Sequence, residues 1–204
     1  MNKKFLYQGI KIITVKIAIA GLAALIVASA ESANAAVDNP STPSSVHAIS
    51  LFADKTIWVV DVNSNEDYNS LLFDAIEKLL PEYATSVKVQ RVKTGNRNPF
   101  FLLKKENYPV AVIVGIGVCV ATTPQSVNYA SSALKLGIPA AILYVPEMKG
   151  SREDSMKNYR ISDPDLCSYE IADGAPETEA EAERLANAAM PVIVKALAEQ
   201  LQKK

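Results

Sequence analysis

The sequence predicts a doubly wound α/β fold, with a mostly parallel sheet of four to five strands and helices on both faces. Three observations predict it. Residues 109–120 form an apolar run rich in β-branched side chains, which is typical of a strand covered on both sides. Strand-like and helix-like segments alternate at the spacing of strand–helix–strand units. The chain has 204 residues and is 49% hydrophobic, enough for one sizeable core.

Each element follows from the spacing of its apolar residues. Apolar positions three and four residues apart predict a helix over 71–80, whereas alternation predicts an edge strand over 86–92. Gly137 is a suitable terminator for the helix before it. The remaining predictions are strands at 57–62, 138–145 and 166–172, a short amphipathic segment at 100–106, and helices at 126–136 and 177–202. The polar residues 149–164 are predicted to be partly helical.

The expected strand order, 2-1-3-4-5, brings several chemically active side chains to one edge of the sheet. Ligands of open α/β sheets bind outside the carboxyl ends of the strands, where the strand order reverses. In this order Asn63 follows the first strand and Cys119 follows the third, so the two face each other across one crevice. The rim of that crevice is predicted to carry Lys93, Thr122, Thr123 and Glu147.

Residues 1–35 have the pattern of a cleavable export signal. Four lysines precede an apolar run at 17–30, and the small residues at 33–35 suit a signal peptidase. Cleavage after Ala35 predicts a periplasmic or secreted protein with no membrane span. A retained anchor is the alternative, although the run is shorter than the ~20 residues of a spanning helix. Residues 36–54 are predicted to be a flexible tether, and 55–204 a single domain.

Charge and composition argue against several classes of partner and cofactor. The leader holds four of the 21 basic and one of the 22 acidic residues, so the mature chain has a net charge of −4 and no basic stripe for nucleic acid. His47 is the only histidine and lies in the tether, so no zinc site is expected. Gly115-Ile116-Gly117 lacks the third glycine of a dinucleotide fingerprint. We therefore expect neither metal nor cofactor, and the oligomeric state is not indicated.

The two cysteines are not expected to form a disulfide. An oxidising compartment favours pairing, but Cys119 follows the end of one predicted strand while Cys167 begins another. They therefore belong to opposite edges of a parallel sheet, and a disulfide needs Cα atoms within ~7 Å.

The central stretch resembles a known family. Gly115-Ile116-Gly117-Val118-Cys119, then Thr123, and later Gly137-Ile138-Pro139 and Glu147, is similar to the pattern of the UGSC family, named after a Sec-Gly-Ser-Cys motif. A related arrangement occurs in the selenoprotein of glycine reductase component B. The resemblance covers residues 57–147, including Asn63, Asn65, Lys93 and Arg97. It implies chemistry in which Cys119, at the nucleophile position, attacks a small substrate or takes part in a redox exchange.

The sequence departs from the family pattern beside the nucleophile. Val120 and Ala121 replace the Gly-Ser pair, and Thr122 stands where the second cysteine would be. A local Cys-x-x-Cys cycle therefore cannot operate, and an oxidised Cys119 would need an external thiol reductant.

Two interpretations of Cys119 remain open. The amino end of the following helix, with positive charge from Lys93 or Arg97, favours a reactive thiolate. A thiol held between Val118 and Val120 is instead buried and inert. The first predicts a thiol-dependent enzyme in which Cys119, Lys93 and Glu147 carry the chemistry and Asn63, Asn65, Arg97, Thr122 and Thr123 bind substrate. The alternative is a non-catalytic domain that binds a small ligand or a partner.

Overall fold

The computed structural model describes residues 51–62, 70–95, 97–162, 164–171 and 176–203. The predicted leader, most of the predicted tether with His47, and the predicted ligand-binding residues Asn63 and Asn65 lie outside these ranges. The strands are β1 (Thr56–Asp61), β2 (Lys88–Lys93), β3 (Ala111–Gly117), β4 (Ala140–Tyr144) and β5 (Cys167–Glu170). The helices are α1 (Ser70–Tyr83), α2 (Thr122–Lys135), α3 (Lys149–Tyr159) and α4 (Glu179–Gln202), and Lys105–Asn107 and Pro146–Met148 form short 3-10 turns.

The five strands form one sheet in the order β2-β1-β3-β4-β5. All four neighbouring pairs are parallel, which confirms the predicted doubly wound α/β fold. β3 lies at the centre and is buried at every position, as its unbroken apolar run predicts. β2 is an edge strand with a largely exposed outer side, which was also predicted.

Two apolar layers cover the sheet, one on each face. Alternate residues of a strand point to opposite faces, so Ile57 and Val59 pack with α1 and α4, while Val60, Val112 and Val114 pack with α2 and α3. The carboxyl ends of the strands lie at one edge, which we call the carboxyl edge, and the opposite edge is the amino edge.

The starts of the folded domain and of α2 differ from the prediction. Phe52 is fully buried in the core beside α1 and α4, so the predicted tether at 36–54 ends before this residue. α2 begins at Thr122 rather than at residue 126. Residues 100–106, for which only a short amphipathic segment was predicted, form turns and the start of a 3-10 turn. In the part of the chain that the structure describes, no helix is long and apolar enough to cross a membrane.

Candidate functional site

The turn between β3 and α2 holds Cys119 at the carboxyl edge. The Thr122 hydroxyl oxygen accepts hydrogen bonds from the backbone N–H groups of Val118 and Cys119, both at 3.2 Å. The Thr123 N–H donates to the Cys119 carbonyl oxygen at 3.0 Å, which links the turn to the first turn of the helix. The Thr122 side chain therefore fixes the backbone that leads into the thiol-bearing residue, and a backbone bond from Thr123 fixes the peptide that follows it.

The same hydroxyl contacts the sulfur. Thr122 Oγ1 lies 3.4 Å from Cys119 Sγ and 3.5 Å from the Cys119 carbonyl oxygen. Because its oxygen already accepts two backbone N–H groups, its single proton is directed toward the sulfur or that carbonyl. When the sulfur is a thiolate, the hydroxyl can donate to it, and a hydrogen bond to a charged acceptor is stronger than one to a neutral acceptor.

Cys119 is half-buried, and its neighbour Val120 is 77% exposed. Val120 therefore does not enclose the thiol, whereas Val118 packs against the core. The two valines do not bury the thiol between them. α2 adds its amino end to this environment. No side chain caps that end at Ala121, and its uncapped backbone donors favour negative charge nearby.

Thr123 packs beneath the turn, where only a glycine leaves room for it. A Cβ placed on Gly117 would lie 2.7 Å from Thr123 Oγ1, so the glycine permits this close approach. Thr123 is 1% exposed, and its hydroxyl oxygen has no hydrogen-bond partner among the described residues. The Thr123 side chain lies inside the fold and supports the turn from beneath. Its role in binding substrate stays a prediction.

Lys93 and Arg97 lie on exposed surface at the same edge. Lys93 ends β2 in register with Asp61, which in turn pairs with Gly115 of β3. Burial raises the pKa of Glu77 on α1, and the charge of Lys93 is one of those that oppose this rise, so Lys93 also acts on the α1 side of the sheet. Arg97 lines an open cleft of about 480 Å³ with Lys93, Thr94, Gly95 and Pro99.

The Arg97 loop is attached to α2. Gln125 Nε2 donates to the Gly95 carbonyl oxygen at 3.0 Å, and Asn98 Nδ2 donates to Ser132 Oγ at 2.8 Å. Gln125 is one turn along α2 from Thr122, so the basic cleft opens beside the helix that begins at the thiol.

Glu147 is exposed in the Pro146–Met148 turn that follows β4. β4 adjoins β3, and the Val145 N–H donates to the Gly117 carbonyl oxygen at 3.1 Å. The turn with Glu147 therefore neighbours the turn with Cys119. The structure thus joins Cys119 to Thr122 directly. At the same edge it places Lys93 at the end of β2, Arg97 on the connection that follows β2, and Glu147 on the turn after β4.

Cys167 lies far from this edge. It pairs in register with Ala141, and Ala141 pairs with Ile113, so Cys119 follows six residues later along the β3 segment. Four strand residues up to Gly117 alone span on the order of 13 Å, beyond the reach of a disulfide. The two cysteines are not disulfide-bonded. Burial, helped by the charge of Glu199, raises the pKa of the Cys167 thiol to about 11.

Comparisons with known proteins give little beyond the fold. No protein-family model matches the chain, and no curated protein matches it. A solved flavodoxin from the domain Archaea is similar in structure with a TM-score of 0.34 and 15% sequence identity, over 72% of this chain and 99% of that one. That likeness is distant, and the fold assignment depends on the strand pairing itself. Membership of the UGSC family stays a prediction.

A charged cluster near the same edge was not predicted from the sequence. Arg91 of β2 contacts three carboxylates: Asp74 at 2.5 Å, Asp61 at 3.4 Å and Glu77 at 3.7 Å. Asp61 ends β1 and is 3% exposed. Burial raises the pKa of Glu77, and the Arg91 charge opposes that effect. The available signal was a carboxylate in an apolar strand, but its partner lies 30 residues away in sequence and becomes visible only through the β1–β2 register.

Another cleft lies at the amino edge, remote from Cys119. It has a volume of about 390 Å³ and is bordered by the last residues of α2, α3 and α4. Its basic side chains Lys135, Arg160 and Lys203 stand near helix carboxyl ends, where positive charge is favoured electrostatically. The described residues contain no group of three or more His, Cys, Asp or Glu side chains arranged to hold a metal ion.

Proposed function

We propose that this protein is an exported, UGSC-like, thiol-dependent enzyme that uses Cys119 as nucleophile or redox centre on a small substrate. The observation that supports it best is the contact between Cys119 Sγ and Thr122 Oγ1 at 3.4 Å, in a half-buried turn at the start of a 14-residue helix. This arrangement favours the thiolate through one directed hydroxyl and the helix amino end. The location outside the carboxyl ends of the strands is also where doubly wound sheets bind ligands.

The chemistry begins with loss of the thiol proton to solvent or to a nearby base such as Glu147. The thiolate then attacks an electrophilic sulfur of the substrate, and the leaving group departs with the electrons of the broken bond to that sulfur. If the product is a mixed disulfide, an external thiol attacks it, releases the substrate sulfur as a new disulfide and restores the Cys119 thiolate. Thr122 cannot perform this second attack, so the reductant must come from outside the chain.

The environment of the site suits a small anionic or polar substrate. Lys93 at the end of β2 and Arg97 on the following connection line one cleft beside α2, and Thr122 lies directly at the thiol. In the proposed enzyme Lys93 and Arg97 attract negative charge, while Asn63 and Asn65, which lie outside the described residues, stay predicted substrate-binding residues.

A disulfide probe tests the proposal without knowledge of the substrate. Native protein at pH 7 is mixed with 5,5′-dithiobis-(2-nitrobenzoate), thionitrobenzoate release is followed, and the modified cysteine is mapped by mass spectrometry. We expect one rapid equivalent from Cys119 that added glutathione reverses, and loss of this phase in Cys119→Ser. A Cys119 that reacts no faster in folded protein than in urea-unfolded chain would refute the proposed activation.

The second candidate is a non-catalytic domain that binds a small ligand or a partner. It is favoured by Thr122, since a hydroxyl now occupies the place of the second cysteine in the family pattern and stabilises the turn instead. Cys119→Ser distinguishes the two: it abolishes turnover in an enzyme but leaves ligand affinity nearly unchanged in a binding domain.

A further inference from the structure

The connection from β2 to β3 differs from the other crossovers of the sheet. α1, α2 and α3 lie in the connections from β1 to β2, β3 to β4, and β4 to β5. In the β2–β3 connection the described residues form turns and the single 3-10 turn Lys105–Asn107, with no α-helix. A loop therefore replaces a helix on the face that α2 covers.

This loop presents two apolar side chains to solvent. Phe101 is 79% exposed and Leu102 is 94% exposed. Scattered single apolar residues are normal on a protein surface, whereas two adjacent large ones form a small contiguous apolar patch. We call residues 97–105 the apolar tip.

The buried ring of Phe100 and the hydrogen bonds of Asn98 anchor the tip to the domain. Phe100 is 4% exposed and its ring centroid lies 5.9 Å from that of Trp58. Asn98 Oδ1 accepts from the Phe100 N–H at 3.0 Å, while the amide nitrogen of the same side chain donates to Ser132 of α2. Phe100 points inward and is anchored, so the turn directs Phe101 and Leu102 outward.

Positive charge surrounds these two residues. Arg97 precedes them, Lys104 and Lys105 follow them, and all three side chains are exposed, against one exposed carboxylate, Glu106. The whole chain has a formal net charge of −1, so this concentration of basic residues is local. Apolar side chains flanked by lysine and arginine match an anionic bilayer surface, because the apolar groups enter the headgroup boundary while the cations contact lipid phosphates.

The small area of the tip argues against a protein partner. Phe101 and Leu102 together offer on the order of 300 Å², whereas a stable protein–protein interface buries ~800 Å² on each side. We propose that the apolar tip docks this domain on an anionic membrane, with Phe101 and Leu102 inserted at the headgroup boundary. This inference is independent of the proposed thiol chemistry.

A tryptophan reporter tests the insertion of the tip itself. Phe101→Trp in the full chain is mixed with vesicles of phosphatidylglycerol and phosphatidylcholine, and with phosphatidylcholine vesicles alone. Val192→Trp is the matched control, because Val192 is also exposed, at 51%, but lies on α4. A retained leader would bring both variants to the vesicle, but it would not insert residue 101.

We expect the emission of Phe101→Trp to move to shorter wavelength and to be quenched by brominated lipids, only with anionic vesicles. Val192→Trp should not change. Adding Lys104→Gln and Lys105→Gln should weaken partitioning about thirtyfold. Unchanged emission of Phe101→Trp, an equal shift in Val192→Trp, or an equal shift with neutral vesicles would overturn the proposal. A shift that grows with protein concentration in the absence of lipid would show self-association instead.

Discussion

Replacing Thr122 by valine removes the hydroxyl at Cys119 while nearly preserving the shape of the side chain. The lost donor lies 3.4 Å from the sulfur. A hydrogen bond to a charged group contributes ~1.5–3 kcal/mol, so the thiolate fraction of Cys119 should be about 10- to 150-fold larger in wild type than in Thr122→Val. The more basic thiolate of the variant is also more nucleophilic, with a Brønsted coefficient of ~0.4–0.5, and this offsets about half of the logarithmic loss.

The expected net effect on Thr122→Val is a fall of roughly 4- to 16-fold in the second-order rate of Cys119 alkylation at pH 7. Because the site is partly exposed, the lower end of this range is expected. The rate is measured with iodoacetamide by mass spectrometry of the Cys119 peptide, which separates it from Cys167. Circular dichroism checks that the fold is intact, since the Val118 and Cys119 N–H groups lose their acceptor.

Thr122→Ser is the matched control, because it keeps the hydroxyl. It should react within about twofold of wild type. The reasoning is refuted if Thr122→Val reacts as fast as wild type, or if Thr122→Ser slows as much as Thr122→Val.

Two further predictions concern stability. Burial raises the pKa of Cys167 to about 11, above its ordinary value of 9.0, so the folded state favours the neutral thiol. The free energy of unfolding is therefore intact below pH 9 and falls by roughly 2–3 kcal/mol as the pH rises from 9 to 11. Urea titrations of wild type and Cys167→Ala should therefore diverge over this interval, and parallel curves would contradict the buried-thiol explanation. Gly117→Ala places a Cβ 2.7 Å from Thr123 Oγ1 and should lower the free energy of unfolding by ~1–3 kcal/mol. Gly150→Ala is the control, because its Cβ meets nothing within 4 Å, and it should be neutral or slightly stabilising. Equal urea midpoints for the two variants would show that the turn relaxes freely.

The sheet was predictable because its signal is local and strong. The apolar run of β3, the alternation in β2 and the glycine after α2 each specify an element without reference to the rest of the chain. The position of Cys119 after a central strand followed directly from this pattern. Gly137 adopts a positive φ of 75°, as expected of a helix terminator.

The errors arose where tertiary contacts override local pattern. The start of α2 was placed too late because the first turn contains Pro124, which is tolerated there since its missing N–H needs no intrahelical partner. The helix α3 confirms the prediction that residues 149–164 are partly helical; its bounds were not predicted because its sequence is mostly polar, and only Arg152, Ser155 and Met156 are buried. Thr122 was predicted to line the crevice and bind substrate, whereas in the structure its hydroxyl contacts the Cys119 sulfur and accepts two N–H groups of the preceding turn.

The end of α4 bears on the integrity of the sheet. The Gln200 side chain accepts from the Ala140 N–H at 2.9 Å and donates to the Ala140 carbonyl oxygen at 3.1 Å. β5 pairs with β4 only from Ala141 onward, so this amide acts as a substitute strand for the first residue of β4. Fraying of the last helical turn would leave a bare peptide edge at that position. The end of α4 and the amino edge of β4 should consequently open and close as one unit.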